Sequence, residues 1–260
     1  MKKMGSLPTH RVHDYRRIVE RWRAVARAAG VPMRQFAATS DYKLYYLKTK
    51  ALGPTDGLYI SAGIHGDEPA GTEALITWAE KNVRILASIP CLLFPCLNPW
   101  GIVNNRRFEQ AGLDLNRIFH RDEVPFIKAI KPLIASHHFT VSLMLHEDYD
   151  GQGLYLYETE RAHPFWGEEL IDAVRHIIPV DKRTRIDGRK PLKPGIVRRK
   201  INPKTFEIMG FPEAVLLHLY HSDRTFTIET PSEFSLDQRV AAHVAIIEEC
   251  VRRILKMPHP

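Results

Sequence analysis

Four short apolar runs narrow the folds open to this chain: 58–64, 91–97, 140–145 and 224–228 each have the length of a buried strand, and each ends on a polar residue able to do chemistry. Those residues are His65, Asn98, His146 and Glu229. Segments of helical period lie between and around them, at 13–29, after Pro69, and at 123–136, 165–177 and 236–255. Further strands are expected at 42–48 and 215–219. This alternation predicts an α/β protein built on an open sheet, and such sheets bind their ligands beyond the carboxyl ends of the strands. Four polar strand ends are what a shared site at that edge would produce.

The chemistry begins at Ser61-Ala62-Gly63-Ile64-His65-Gly66-Asp67-Glu68-Pro69. An imidazole and a carboxylate three positions apart on a tight turn can converge on one cation, and two histidines with one glutamate are a common ligand set for catalytic zinc. Taken alone, His-x-x-Glu reads as readily as a surface histidine beside a helix N-cap carboxylate. The polar strand ends elsewhere favour the metal. His146 is the leading third ligand because it follows its strand as His65 follows its own. His120, His218 and His221 compete with it, whereas His137 and His138 precede the strand and belong at the opposite edge. Three protein ligands would leave a position for water, whose pKa the metal lowers toward neutrality. Glu229, ending the fourth strand, is the candidate general base, with Glu233 as its nearest substitute. Cations come from Asn104-Asn105-Arg106-Arg107 and from Gly112-Leu113-Asp114-Leu115-Asn116-Arg117; arginine forks bind carboxylates and can stabilise an oxyanion.

Composition trims the alternatives. The 260 residues, 44% hydrophobic, suffice for a single domain over 1–260. Met1-Lys2-Lys3-Met4-Gly5-Ser6 is not followed by an apolar leader segment, and no run of about 18 apolar residues occurs, which predicts a cytoplasmic protein without a membrane association. Cys91, Cys96 and Cys250 read as buried thiols and imply no disulfide framework. The formal charge of +7 is spread among many acids, except in a basic, loop-rich excursion at about 181–200. That excursion is either a solvated face or a rim attracting an acidic substrate. It lacks the interleaved aromatics of a base-stacking platform, so nucleic acid is not an expected partner.

His65-Gly66-Asp67-Glu68, Asn98-Pro99-x-Gly101, Gly112-x-Asp114-x-Asn116-Arg117, His146 and Glu229 occur in the order found in the carboxypeptidase A-like zinc metallopeptidases. The resemblance spans roughly residues 58–229. It implies a three-layer α/β/α fold with a mixed, mostly parallel central sheet, and one zinc ion held by His65, Glu68 and His146. It makes Glu229 the base and Arg107 the residue that polarises the scissile carbonyl, with Arg106 a near-equal candidate. Asn116 and Arg117 would hold the substrate's terminal carboxylate. The expected activity is hydrolysis of an amide next to a free carboxylate, by a metallocarboxypeptidase or a cell-wall-peptide amidase acting on a small peptide. The motifs are also similar to the related aspartoacylase and succinylglutamate desuccinylase branch, which would make the protein an N-acyl amino acid deacylase. A non-catalytic binding protein on the same fold is the reading from another class. The family's substrate-capping tyrosine has no clear counterpart: Tyr220 lies too near Glu229, and Tyr155 and Tyr157 too near His146.

Overall fold

The computed structural model describes residues 11–160, 162–204, 206 and 210–257; Met1–Ser6, the segment without an apolar leader after it, lies outside them. The strands are β1 (Met33–Ala38), β2 (Lys43–Lys48), β3 (Leu58–Ala62), β4 (Cys91–Phe94), β5 (Phe139–Asp148), β6 (Tyr155–Glu160), β7 (Ile196–Arg198) and β8 (Ser222–Pro231). The helices are α1 (Tyr15–Ala29), α2 (Pro69–Lys81), α3 (Val83–Ser88), α4 (Pro99–Asn104), α5 (Pro125–Ala135), α6 (Gly167–Val174), α7 (Glu213–Leu216) and α8 (Leu236–Lys256). Among the described residues the strands form one sheet in the order β1-β2-β4-β3-β5-β8-β6-β7.

Strands β3 and β4 are buried at every position, as strands covered on both faces must be. The parallel pairs β4–β3, β3–β5 and β5–β8 make the centre of the sheet, with antiparallel pairing where β2 joins β4 and where β6 joins β8. Side-chain alternation divides the core in two. Leu58, Ile60, Leu143 and Phe226 point into a cluster with Trp22, Trp78, Leu170 and Ile247, contributed by α1, α2, α6 and α8. Tyr59, Phe94 and Met144 point the other way, against Ile127 and Ile130 of α5 and Val215 of α7. The expected mixed sheet between two helical layers is therefore present.

Several boundaries differ from the sequence-based expectation. β5 and β8 run on past β3 because they pair with each other as far as Asp148 and Pro231, so His146 and Glu229 lie within strands, directly opposite one another. The strand expected at 215–219 is helical: α7 continues through a π-helical turn, Leu217–His221, and β8 starts at Ser222. A five-residue apolar run has no decisive period, and Val215, Leu216 and Leu217 bury equally well as helix. The excursion is tied down rather than solvated throughout. It contributes β7, which pairs with β6, and Arg198 donates twice to the buried Glu158 carboxylate, at 2.6 and 2.8 Å. Cys91, Cys96 and Cys250 are free buried thiols.

Helix α2 reaches β5 at Gly71, where an added Cβ would lie 2.7 Å from Leu145 Cβ and 2.9 Å from Leu145 O. Overpacking of this kind costs about 1–3 kcal/mol. Gly71→Ala is therefore expected to lower the unfolding free energy measured in urea by that amount, with a lower midpoint; an unchanged midpoint would mean that α2 is not held against β5 as described.

Candidate metal centre and its cavity

The turn after β3 is shaped by backbone contacts. Asn98 N–H donates to Gly63 O at 2.8 Å and Gly66 N–H to Arg106 O at 3.0 Å, drawing the 98–106 segment over the turn. Gly66 permits this approach, since a Cβ there would fall 1.9 Å from Gly101 C. Asn98 explains its own motif: Oδ1 caps α4 by accepting from Gly101 N–H at 2.9 Å, while Nδ2 donates to Arg107 O at 3.3 Å. The turn thus brings both His65 and Arg107 to one place.

Glu68 stands at the N-cap position of α2, but its side chain does not cap that helix. Its carboxylate turns to the histidines, with Oε1 2.6 Å from His65 Nδ1 and Oε2 2.7 Å from His146 Nδ1. It also accepts from Glu147 N–H at 3.2 Å. The capping duty passes to Glu147, whose Oε1 accepts from Ala70 N–H at 2.6 Å and whose Oε2 pairs with Arg239 of α8. All three clustered side chains are buried, and one ligand atom of each lies within 4.8 Å of the others.

Charge follows from these contacts. Burial alone would raise the Glu68 pKa, but His65 and His146 outweigh it and hold the carboxyl well below its usual range. His65 faces a carboxylate at each nitrogen, because Nε2 lies 3.2 Å from Asp114 Oδ1. Burial lowers its pKa, yet Glu68 and Asp114 together prevail and leave it raised. A ring so placed has a carboxylate oxygen within hydrogen-bond reach of each nitrogen. The same donors suit a divalent metal: two Nδ1 atoms and a carboxylate would face it, and the proton left on His65 Nε2 would go to Asp114, the outer hydrogen bond that orients metal-bound histidines.

A cavity of about 470 Å³ opens beside this cluster, and its wall includes Arg107, Asn116, Arg117, Tyr155, Tyr157 and Glu229. Strand alternation accounts for several of these. His146 and Glu229 are opposite in the β5–β8 pair and Tyr155 is opposite Glu229 in the β8–β6 pair, so the three project from one face. Removal from water pushes the Glu229 carboxyl up to about 8; His146 opposes the rise, while Glu68, Asp148 and Asp187 add to it. Arg107 donates to Asp114 Oδ2 at 3.1 and 3.2 Å and approaches Glu68 Oε1 at 3.4 Å. From the excursion, Arg189 and Arg199 also reach the wall.

The residues proposed from sequence thus fall together, with exceptions. Arg106 is exposed and off the cavity wall, leaving Arg107 alone in the position the two shared. Glu233 is exposed, and His120, His218 and His221 lie off the wall. His137 contacts Gly53 O, in the loop before β3 and so at the other end of the sheet. Sequence reasoning gave Asp114 no contact with His65, because only the fold closes the 49 residues between them. It also assigned no role to Arg239. Tyr155 and Tyr157, set aside as too near His146, line the cavity because β6 returns antiparallel to β8.

Residues 54–128 match the family model of the succinylglutamate desuccinylase/aspartoacylase catalytic domain. Among solved structures, a candidate metallopeptidase from Shewanella amazonensis SB2B superposes with a TM-score of 0.81 at 21% identity, covering 94% of each chain. A metallo-carboxypeptidase from Burkholderia cenocepacia gives 0.66 at 15% identity, over 92% of this chain and 68% of that one. The Pseudomonas aeruginosa metallo-carboxypeptidase, solved with (2-guanidinoethylmercapto)succinic acid, gives 0.59 at 18% over 92% and 67%. No curated protein matches by sequence. The resemblance read from the motifs is borne out: the chain has the carboxypeptidase-like α/β fold common to these metallopeptidases, with a segment matching the desuccinylase/aspartoacylase domain.

The Glu229 shift predicts a pH effect. An acid whose folded pKa is raised binds more protons folded than unfolded, so it erodes stability as pH climbs from its ordinary value of 4.5 to about 8. In chelator-treated protein, Glu229→Gln should melt above wild type at pH 8 by at least about 2–4 °C, the equivalent of 1 kcal/mol in a chain of this size. The gap should close near pH 5. Equal melting at pH 8 would contradict the buried placement.

Proposed function

We propose that the protein is a zinc-dependent hydrolase that cleaves an amide bond beside a free carboxylate. The reading is carried by one observation: the His65–Glu68–His146 cluster, Glu229, and the donors Arg107, Asn116 and Arg117 share one cavity. A bound zinc would act as Lewis acid and bring water toward hydroxide near neutral pH.

The chain's own residues supply the remainder. Glu229 accepts a proton from the attacking water and returns it to the departing amine; a cation nearby lowers its pKa from the raised value and favours the carboxylate needed for the first step. Arg107 faces the carbonyl oxygen and stabilises the charge that develops there. Asp114 holds the Arg107 guanidinium in place while restraining His65. Asn116 and Arg117 bind the terminal carboxylate and so select a substrate with a free acid end. Tyr155 and Tyr157 narrow the cavity on the far side of Glu229.

A carboxypeptidase or cell-wall-peptide amidase fits the overall likeness to metallo-carboxypeptidases. An N-acyl amino acid deacylase is the second reading, favoured by the match over residues 54–128. Against a binding-only role stands the cavity itself, which remains between the Arg189–Arg199 side and the histidines. As for location, no helix among the described residues is long and apolar enough to cross a membrane, and the cytoplasm stays our proposal.

Assays of a tripeptide, a γ-glutamyl-diaminopimelate peptide and an N-acyl aspartate should yield turnover of at least one. Chelation should abolish that turnover, zinc should restore it, and Glu229→Gln should cut kcat by at least about 100-fold with zinc still bound. Undiminished turnover after either change would overturn the proposal.

A further inference from the structure

Glu213 is a fully buried acid to which the chemistry above assigns no task. Its carboxylate accepts from the Tyr59 hydroxyl and, at 2.7 Å, from the Ser61 hydroxyl. Both donors lie on β3, the strand leading to His65. Its backbone N–H donates to Asn116 Oδ1 at 3.0 Å. One residue therefore joins β3, the start of α7 and the turn that carries Asn116 and Arg117. The backbone reinforces the joint: Phe211 N–H donates to Arg117 O at 2.7 Å, and Phe119 N–H to Phe211 O at 3.0 Å.

This joint decides which end of a carboxamide the cavity sees. An asparagine side chain has one accepting and one donating end. The N–H of Glu213 can bond only to the oxygen, so the oxygen of Asn116 is committed behind the wall and the Nδ2 donor is the end left for a ligand. Asn116 is itself on that wall. A carboxylate is all acceptor: it matches Nδ2 beside the Arg117 guanidinium and would be repelled by the oxygen of a flipped amide. Leaving the Glu213 carboxyl without Tyr59 and Ser61 would strand a polar group in an apolar layer, so those bonds fix where α7 begins.

We propose that Glu213 is a positioning residue for anionic substrates: anchored to Tyr59 and Ser61, it holds the donor end of Asn116, together with Arg117, toward the ligand. The inference rests on reading Asn116 and Arg117 as the carboxylate site.

A binding measurement on zinc-loaded protein tests it without requiring turnover. Calorimetry would compare 3-phenylpropionate with 3-phenylpropanol, an uncharged probe with the same apolar tail, alongside zinc content and melting temperature. Wild type should prefer the acid by about tenfold or more, the worth of a hydrogen bond to a charged group, and Asn116→Leu should remove most of that preference. Glu213→Ala should lose at least about fivefold of it with zinc retained, and Glu213→Gln, which keeps an acceptor for Tyr59, should recover most of the loss. Tyr59→Phe removes one anchor without emptying the site and should cost about two- to threefold, which decides the matter if the alanine variant does not fold. No acid preference in wild type, or one that survives Asn116→Leu, would sink the carboxylate-site reading and this proposal with it. A preference lost in Asn116→Leu but intact in Glu213→Ala, or intact in Tyr59→Phe where the alanine variant fails to fold, would overturn the role of Glu213 alone.

Discussion

The carboxylate of Glu68 is the point on which the site converges. It is buried, it stays ionised, and it is met by two imidazole nitrogens and one backbone N–H. A lone carboxylate in such a place would cost several kcal/mol, and the expense is tolerable only because every partner is aimed at it. The aiming comes from elements far apart in sequence. His65 arrives on the turn after β3, His146 on the extension of β5, and Glu68 at the first residue before α2. A divalent cation taking the place of the two imidazole protons would keep the same three groups facing one centre, which is why the cluster suits a metal more readily than a structural ion pair.

Around that centre the fold spends further polar groups on orientation. Asp114 restrains both His65 and Arg107, coupling a ring of the candidate metal cluster to the guanidinium we propose faces the oxyanion. Behind His146, Glu147 joins the first turn of α2 to Arg239 of α8, so the C-terminal helix braces that turn from within the same helical layer. Burial pushes the Glu147 carboxyl up to about 7, although Arg239 and Ala70 N–H draw it down, while Glu68 adds slightly to the rise. On the cavity side Glu213 does the corresponding work. Both faces of the sheet thus carry a buried acid whose contacts point toward the same edge.

What the sequence disclosed and what it withheld have a common physical origin. The central strands were readable because burial on both faces makes them continuously apolar, and their polar ends marked the edge where the site lies. The His65–Glu68 turn was readable because glycine, proline and ligand types coincide within nine residues. β1 escaped notice because an edge strand with four polar or small residues, including Arg34 and Gln35, has weak alternation. Residues 215–219 were misread because a short apolar run satisfies helix and strand equally. The contacts of Asp114, Glu147, Arg239 and Glu213 were withheld for a different reason: their partners lie across the fold, and no local pattern encodes a hydrogen bond between residues 49, 77, 92 or 154 positions apart.

Zinc K-edge absorption spectroscopy of the purified protein, compared with a His146→Ala variant, addresses the metal centre most directly. The account predicts one tightly bound zinc per chain, with two imidazole nitrogens at about 2.0–2.1 Å and carboxylate oxygen at about 2.0–2.2 Å, and one imidazole fewer in the variant. A zinc shell containing sulfur, or a shell unchanged by the loss of His146, would contradict it.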